Sequence, residues 1–413
     1  MRELIVDTSE DPLTSEVLLA LQLRAVDNPL FPRLKAFECK EATEAFIPFI
    51  PLLLSPTTTS IEIRFAEDTP TLAVASMISR FSTLCPNLEY INLPCLPRDS
   101  VITNAVSEML LACNREILRA FEVDSPLTEE AREVVYRLPR LSDLWTVIRE
   151  STSLSTVVLP NLDLIDIDYD NHLDWLEGFR GATLGRLKEA YFRSGSEQIG
   201  DFLGAFERVA LATSTQNTLS TLKLYVPRSW NPNYSSLLSF KRLKELEIQF
   251  SCGGGCSSKV DDEVVISLAQ AMPELEVLQL GKAPCRTPTG ITINGLIGLA
   301  CNCPRLSNLR IHFQATSLVN AVASAALPSP SEYEPTARQE DCALVDLEVG
   351  EIPIPVGSAS MLALILLQIF PRILNVVYTN QEWKVVAETV KDFRRIRALV
   401  RHSSKTFINH RSQ

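Results

Sequence analysis

The chain has 413 residues, 46% apolar and 22% charged, which excludes a disordered or collagen-like polypeptide because enough apolar side chain is present to build a large core. Its 39 Lys and Arg against 50 Asp and Glu leave a net charge of −11, a surface that repels duplexes and anionic membranes, so neither nucleic acid nor membrane is an expected partner. Four His in the whole chain leave little room for His-based catalysis or a His-rich metal site.

At the N-terminus, Met1-Arg-Glu-Leu-Ile-Val-Asp lacks the long apolar core of a secretory signal. The most apolar stretch, Met361 to Phe370, stops at Pro371 and is too short to span a bilayer. Ten Cys without such a signal read as reduced thiols, and the expected compartment is cytoplasmic or nuclear.

A six-residue phrase, L-x-x-L-x-L, recurs along almost the whole chain. Its clear copies begin at Leu88, Leu118, Leu219, Leu243, Leu275, Leu306 and Leu344, and weaker ones at Leu34, Thr58, Leu141, Leu154, Leu187 and Ile373. The mean interval is 339/12, about 28 residues, the leucine-rich-repeat period. The interval of 13 between Leu141 and Leu154 is too short for a unit, so one of the two is spurious. Within the phrase, x-L-x-L alternates with period two and specifies a short strand with one buried face. Between phrases the period turns helical, over Thr71–Leu84, Val101–Cys113, Ile199–Leu211, Asp262–Met272, Ile291–Ala300 and Met361–Phe370. Several of these stretches end at Pro, as at Pro86, Pro273, Pro304 and Pro371, which stops a helix and starts the turn into the next strand.

The expected architecture is an α/β leucine-rich-repeat solenoid, a horseshoe with short parallel strands on the concave face and helices on the convex face. Residues 1–30 read as an N-terminal capping segment and 31–380 as about 12 irregular units with a loop inserted at 315–341. Residues 381–413 read as a capping helix and tail, made basic by Arg394, Arg395, Arg397 and Arg401.

Cys85-Pro-Asn-Leu88-Glu-Tyr-Ile91-Asn-Leu93 and the stretch Ile293 to Leu306, with Cys301 and Cys303, resemble the cysteine-containing class of leucine-rich repeats. That class is typical of F-box substrate receptors of cullin-type ubiquitin ligases. Phe31-Pro-Arg-Leu34 and Leu138-Pro-Arg-Leu141 resemble fungal members in particular. The resemblance spans roughly residues 30 to 380 and implies a substrate-recognition scaffold. It departs from the family in one respect: Met1–Leu30 has no Leu-Pro-x-Glu opening, and Leu13-Thr-Ser-Glu16 is only a capped amphipathic start. The small adaptor that F-box helices grip is therefore not expected to bind this chain alone.

Asp166, Asp168, Asp170, Asp174 and Glu177 fall at positions 1, 3, 5, 9 and 12 of a calcium loop, with Asn171 in place of the turn Gly and an extended segment upstream. An acidic loop between repeats is the simpler account, and no metal is expected. Cys252-Gly-Gly-Gly-Cys256 has neither finger spacing nor a phosphate-loop Lys, and reads as a turn. Cys85 and Cys303 read as small apolar fillers at repeat corners. His172, His312, His402 and His410 sit in unrelated contexts without a nucleophile elbow, so the chain is not read as an enzyme and no cofactor is expected.

What remains is the face the strands present away from the core. There the phrases place Trp145, Val158, Tyr191, Arg193, Tyr225, Glu245, Glu247, Arg310, His312, Asp346 and Glu348. Aromatics and Arg anchor protein interfaces, so a protein target is expected there, around Trp145, Tyr191, Arg193 and Tyr225. The rival readings are a repeat-built regulator of an enzyme such as a GTPase activator, and a calcium-responsive adaptor. The first normally has uniform units, unlike the spread of 23 to 38 among the full intervals here.

Overall fold

A computed structural model describes residues 2–7, 30–148, 158–169, 186–194, 202–226, 232–250, 260–281, 290–316, 342–349, 352–378 and 380–410, with 17, 20, 184 and 319. Two compact units emerge, one of residues 1–195 with 208–218 and one of 196–207 with 219–413.

The first unit holds β1 (Glu3–Val6), β2 (Ala36–Ala42), β3 (Ser60–Phe65), β4 (Tyr90–Leu93), β5 (Ala120–Pro126), β6 (Asp143–Ile148), β7 (Leu164–Tyr169) and β8 (Glu189–Ser194). Each pairs in parallel with the next, so strand order is chain order. The second unit repeats the arrangement with β9 (Thr221–Val226), β10 (Glu245–Phe250), β11 (Val277–Leu280), β12 (Asn308–Ile311), β13 (Asp346–Val349) and β14 (Asn375–Tyr378). Parallel neighbours joined by crossovers are what the alternating periods require.

The second apolar residue of each phrase forms a ladder. Phe37, Ile61, Ile91, Phe121, Leu144, Ile165 and Ala190 are in register and buried, as are Leu222, Leu246, Leu278, Leu309, Leu347 and Val376. The leading Leu sits before the strand, at a backbone clip. The N–H groups of Arg119 and Ala120 both donate to the carbonyl of Glu89, those of Ser142 and Asp143 to Arg119, and those of Asp163 and Leu164 to Ser142. This clip settles the doubtful interval. The strand after β6 belongs to a phrase beginning at Leu162, which is buried, whereas Leu154 lies outside the described residues.

Helices fill the crossovers. They run over Ser100–Ala112, Asp262–Ala271, Ile293–Asn302 and Ala359–Ile369, within two residues of the sequence spacing at each end. Asp99 and Asp261 cap two of them by accepting from Val101 N and Val264 N. The segment expected as one helix from Thr71 to Leu84 is two, Thr71–Ile78 and Phe81–Leu84. Ser79 Oγ donates back to the Ala75 carbonyl at 3.0 Å where the first ends, a bond that competes with helical pairing. β1 is an edge strand that carries no copy of the phrase.

Cys85 and Cys303 are buried. The Cys303 thiol points at the carbonyls of Ala269 and Met272, both at 3.7 Å, which close the preceding repeat's helix. Burial pushes Cys85 up to about 11 and Cys303 up to about 12, so both thiols stay protonated. Helix Glu382–His410 packs Trp383 edge-on to Phe313, centroids 5.8 Å apart, and the indole N–H donates to the Ile352 carbonyl at 2.8 Å. No described helix is long and apolar enough to cross a membrane.

Candidate functional site

On every strand the residues between the buried ladder positions project from the face opposite the helices. In the first unit the fifth position of each phrase makes one register row: Glu38, Glu62, Asn92, Glu122, Trp145, Asp166, Tyr191. Parallel strands lie about 4.8 Å apart, so neighbours in this row are in side-chain reach.

Trp145, Tyr191 and Arg193 all lie on this face and are half-buried, not fully exposed as the sequence suggests. The reason is mutual cover. Arg193 on β8 reaches back over β7, where its Nη2 donates to Asp166 Oδ2 at 2.7 Å, and its guanidinium carbon stands 5.6 Å from the Trp145 ring centroid on β6. The Tyr191 hydroxyl donates to Glu189 on its own strand. Arg193 therefore already has its carboxylate and does not offer an empty fork to a target. Tyr225 lies on β9 in the second unit and is half-buried beside Lys223 and Gln249 of the same face.

Asp166 is 8% exposed, and its Oδ1 accepts no hydrogen bond among the described residues. Burial pushes its carboxyl up to about 6, with Arg193 holding it from rising further. Asp168 faces the same side and pairs with Arg98 at 3.5 Å. Asp166 and Asp168 thus sit in a strand hydrogen-bonded on both edges, a geometry unlike the turn of a calcium loop. Asp170, Asp174 and Glu177 lie outside the described residues, as do Cys252, Cys256 and most of the loop 315–341. Among the described residues no three His, Cys, Asp or Glu side chains gather as a metal would need.

Two residues expected at the surface are buried. Glu247 is 5% exposed because Lys223 lies 3.6 Å away on one side and Gln249 donates to it on the other. His312 is 3% exposed; it follows the end of β12 and its ring lies against Gly281, where a side chain would stand 3.7 Å from its Cδ2. Glu245 pairs with Lys223 at 2.8 Å, and Arg310 with Glu348 across β12 and β13 at 2.5 Å. Lys223 and Arg310 thereby answer part of the acidic charge on the second unit's face from strand to strand.

The first unit's face is different, and sequence reading passed over the residues that make it so. Glu38, Glu62 and Glu122 make no ion pair among the described residues. Burial and the charge of Glu38 raise the Glu62 carboxyl against the opposing charge of Arg64; burial, then Asp143, Glu62 and Asp166, raise that of Glu122 against a hydrogen bond from Tyr90. Tyr90, whose hydroxyl is 3.5 Å from Glu122 Oε2, is pushed up to about 12 by its burial and that same carboxylate. The signal was available. Glu38, Glu62 and Glu122 hold the fifth position of the phrases at Leu34, Thr58 and Leu118, the place Trp145 holds in the phrase at Leu141.

Fold and face together define an α/β solenoid of the leucine-rich-repeat type. No family model matches the sequence, and none of the curated proteins does. Among solved structures the chain is similar to one of the complex of Rad7 and Elc1 in yeast, at 15% identity over 67% of this chain and 77% of that one, TM-score 0.37. It is also similar to a protein of Bacteroides fragilis, at 13% identity over 63% and 67% of the two chains, TM-score 0.34. Likenesses this remote leave the fold resting on the parallel strand order itself.

Proposed function

We propose that this chain is a non-enzymatic scaffold that holds a protein partner on the first unit's open sheet face, and that the segment held there is rich in Lys and Arg. The carrying observation is the row of Glu38, Glu62, Glu122 and Asp166, in which burial raises Glu62, Glu122 and Asp166 and neighbouring acids raise Glu62 and Glu122 further. A cationic chain laid over them would relieve that repulsion. Trp145, in the same register row and with its indole Nε1 making no hydrogen bond among the described residues, supplies the aromatic anchor. The finer reading, a substrate-recognition part of an F-box-type ubiquitin-ligase receptor, is supported by the cysteine-containing repeat phrases alone. In that reading the cationic segment belongs to the ligase substrate.

Calorimetric titration with a synthetic Lys- and Arg-rich peptide tests the proposal. Saturable binding is expected that weakens with salt, falls about tenfold or more in a Glu62→Gln, Glu122→Gln double variant, and falls again in Trp145→Ala. Equal affinity for the double variant and the parent chain would refute it.

A further inference from the structure

At the ends where strands β5 to β8 begin, basic side chains gather among the acids of the sheet face. There a cavity of about 260 Å³ is lined by Arg119, Arg140, Ser142, Asn161, Asp163 and Arg186. Three guanidiniums on one small concavity stand out in a chain whose net charge is −11. We infer that this cavity is a binding site for a single phosphate monoester group.

The repeat sets the geometry. Arg119, Ser142, Asp163 and Lys188 occupy the clip position of four successive phrases, where two backbone N–H groups grip the preceding repeat. Arg140, Asn161 and Arg186 occupy the position just before the leading Leu of three of them. At about 4.8 Å between strands, Arg140 starts one strand from Arg119 and two from Arg186, on backbone that the clips hold in place. Two of them are also oriented. Arg186 Nη1 donates to Asn161 Oδ1 at 3.1 Å with its Nε 3.7 Å from Asp163, and Arg119 Nε lies 3.3 Å from Glu89. Asn161 is tied in turn, its amide donating to the Pro139 carbonyl at 2.7 Å.

Asp163 brings one negative charge into the cavity, and Lys188 at 3.4 Å as well as Arg186 already answers it. Arg140 makes no ion pair among the described residues, and its planar fork matches phosphate oxygens. The wall next to the cavity argues against a polyanion. Asp143 and Glu189 lead the neighbouring row of the sheet face, with Glu122 and Asp166 beyond, so a nucleic-acid backbone leaving the cavity on that side would run into carboxylates. One compact dianion fits, whether free in solution or carried on a phosphorylated side chain.

The test titrates the full chain with inorganic phosphate, with a short phosphoserine peptide and with the same peptide unphosphorylated. Either phosphate-bearing probe should saturate, and Arg140→Gln or Arg186→Gln should cut its affinity about tenfold with the melting temperature unchanged. A phosphopeptide that binds much more tightly than inorganic phosphate assigns the site to a phosphorylated protein; equal affinities assign it to the free ion. Failure of both probes to saturate, indifference to both Arg variants, or equal binding of the unphosphorylated peptide would overturn the inference. This site does not depend on the cationic segment proposed for the sheet face, and either can fail without the other.

Discussion

At Asp166 a single carboxylate carries two opposed demands. Its place in the row is nearly covered, which disfavours the charge, while Arg193 at 2.7 Å favours it. Burial wins, and the folded value of about 6 lies above the ordinary 3.8. A carboxyl protonated more readily when folded stabilises the fold fully below its unfolded value and loses that contribution as pH rises through the folded one. At neutral pH Asp166 therefore costs stability, on the order of 2–3 kcal/mol. Asp166→Asn should raise stability at about pH 7.5 and lose that advantage as pH falls toward 4, because Arg193 is exposed enough to hydrate when released. Chemical denaturation of both proteins across this range checks it; a variant less stable than the parent at neutral pH would mean the ion pair outweighs burial. None of this was legible in the sequence, where Asp166 drew attention only as the first residue of a calcium-like spacing. The spacing is real, but Asp166 and Asp168 lie in a strand paired on both sides, and Asp170, Asp174 and Glu177 lie outside the described residues.

Elements were far more legible than residues, because period two and period 3.6 are hard to confuse when they alternate. The exception is instructive. Leu162-Asp-Leu-Ile165-Asp-Ile167 also fits the phrase, and its place after β6 accounts for the short interval between Leu141 and Leu154. Invisible in the sequence was how one repeat's helix secures the next. Asp262, in the first turn of helix Asp262–Ala271, accepts through Oδ1 from Thr292 N at 2.7 Å and Gly295 N at 3.0 Å, capping helix Ile293–Asn302 from the preceding repeat. Gly295 permits this approach, since a Cβ there would stand 2.5 Å from that oxygen. Helix propensity alone says Gly295→Ala gains about 1 kcal/mol. Displacing the cap reverses the sign, and a net loss of about 1 kcal/mol or more is expected in equilibrium unfolding. A stabilised variant would show that the cap contributes little.

For the whole molecule the sequence gives one charge and one repeat, yet the structure divides its strand faces into two kinds. In the second unit Lys223 with Glu245 and Arg310 with Glu348 answer acid with base across adjacent strands. In the first unit Glu38, Glu62 and Glu122 make no ion pair among the described residues, and Arg119, Arg140 and Arg186 gather at a cavity at the strand ends instead. A net charge of −11 averages over both arrangements, so only the register could separate them. The central claim is that the unanswered row is where a cationic partner segment lies. Zero-length carbodiimide coupling reports it most directly, since it joins a carboxylate to a Lys amine only where the two touch. With a Lys-rich peptide as probe, mass spectrometry should find the coupled carboxylates at Glu38, Glu62 and Glu122. Coupling confined to the helix-side acids Glu108, Glu129 and Glu133, with that row unmodified, would contradict the account.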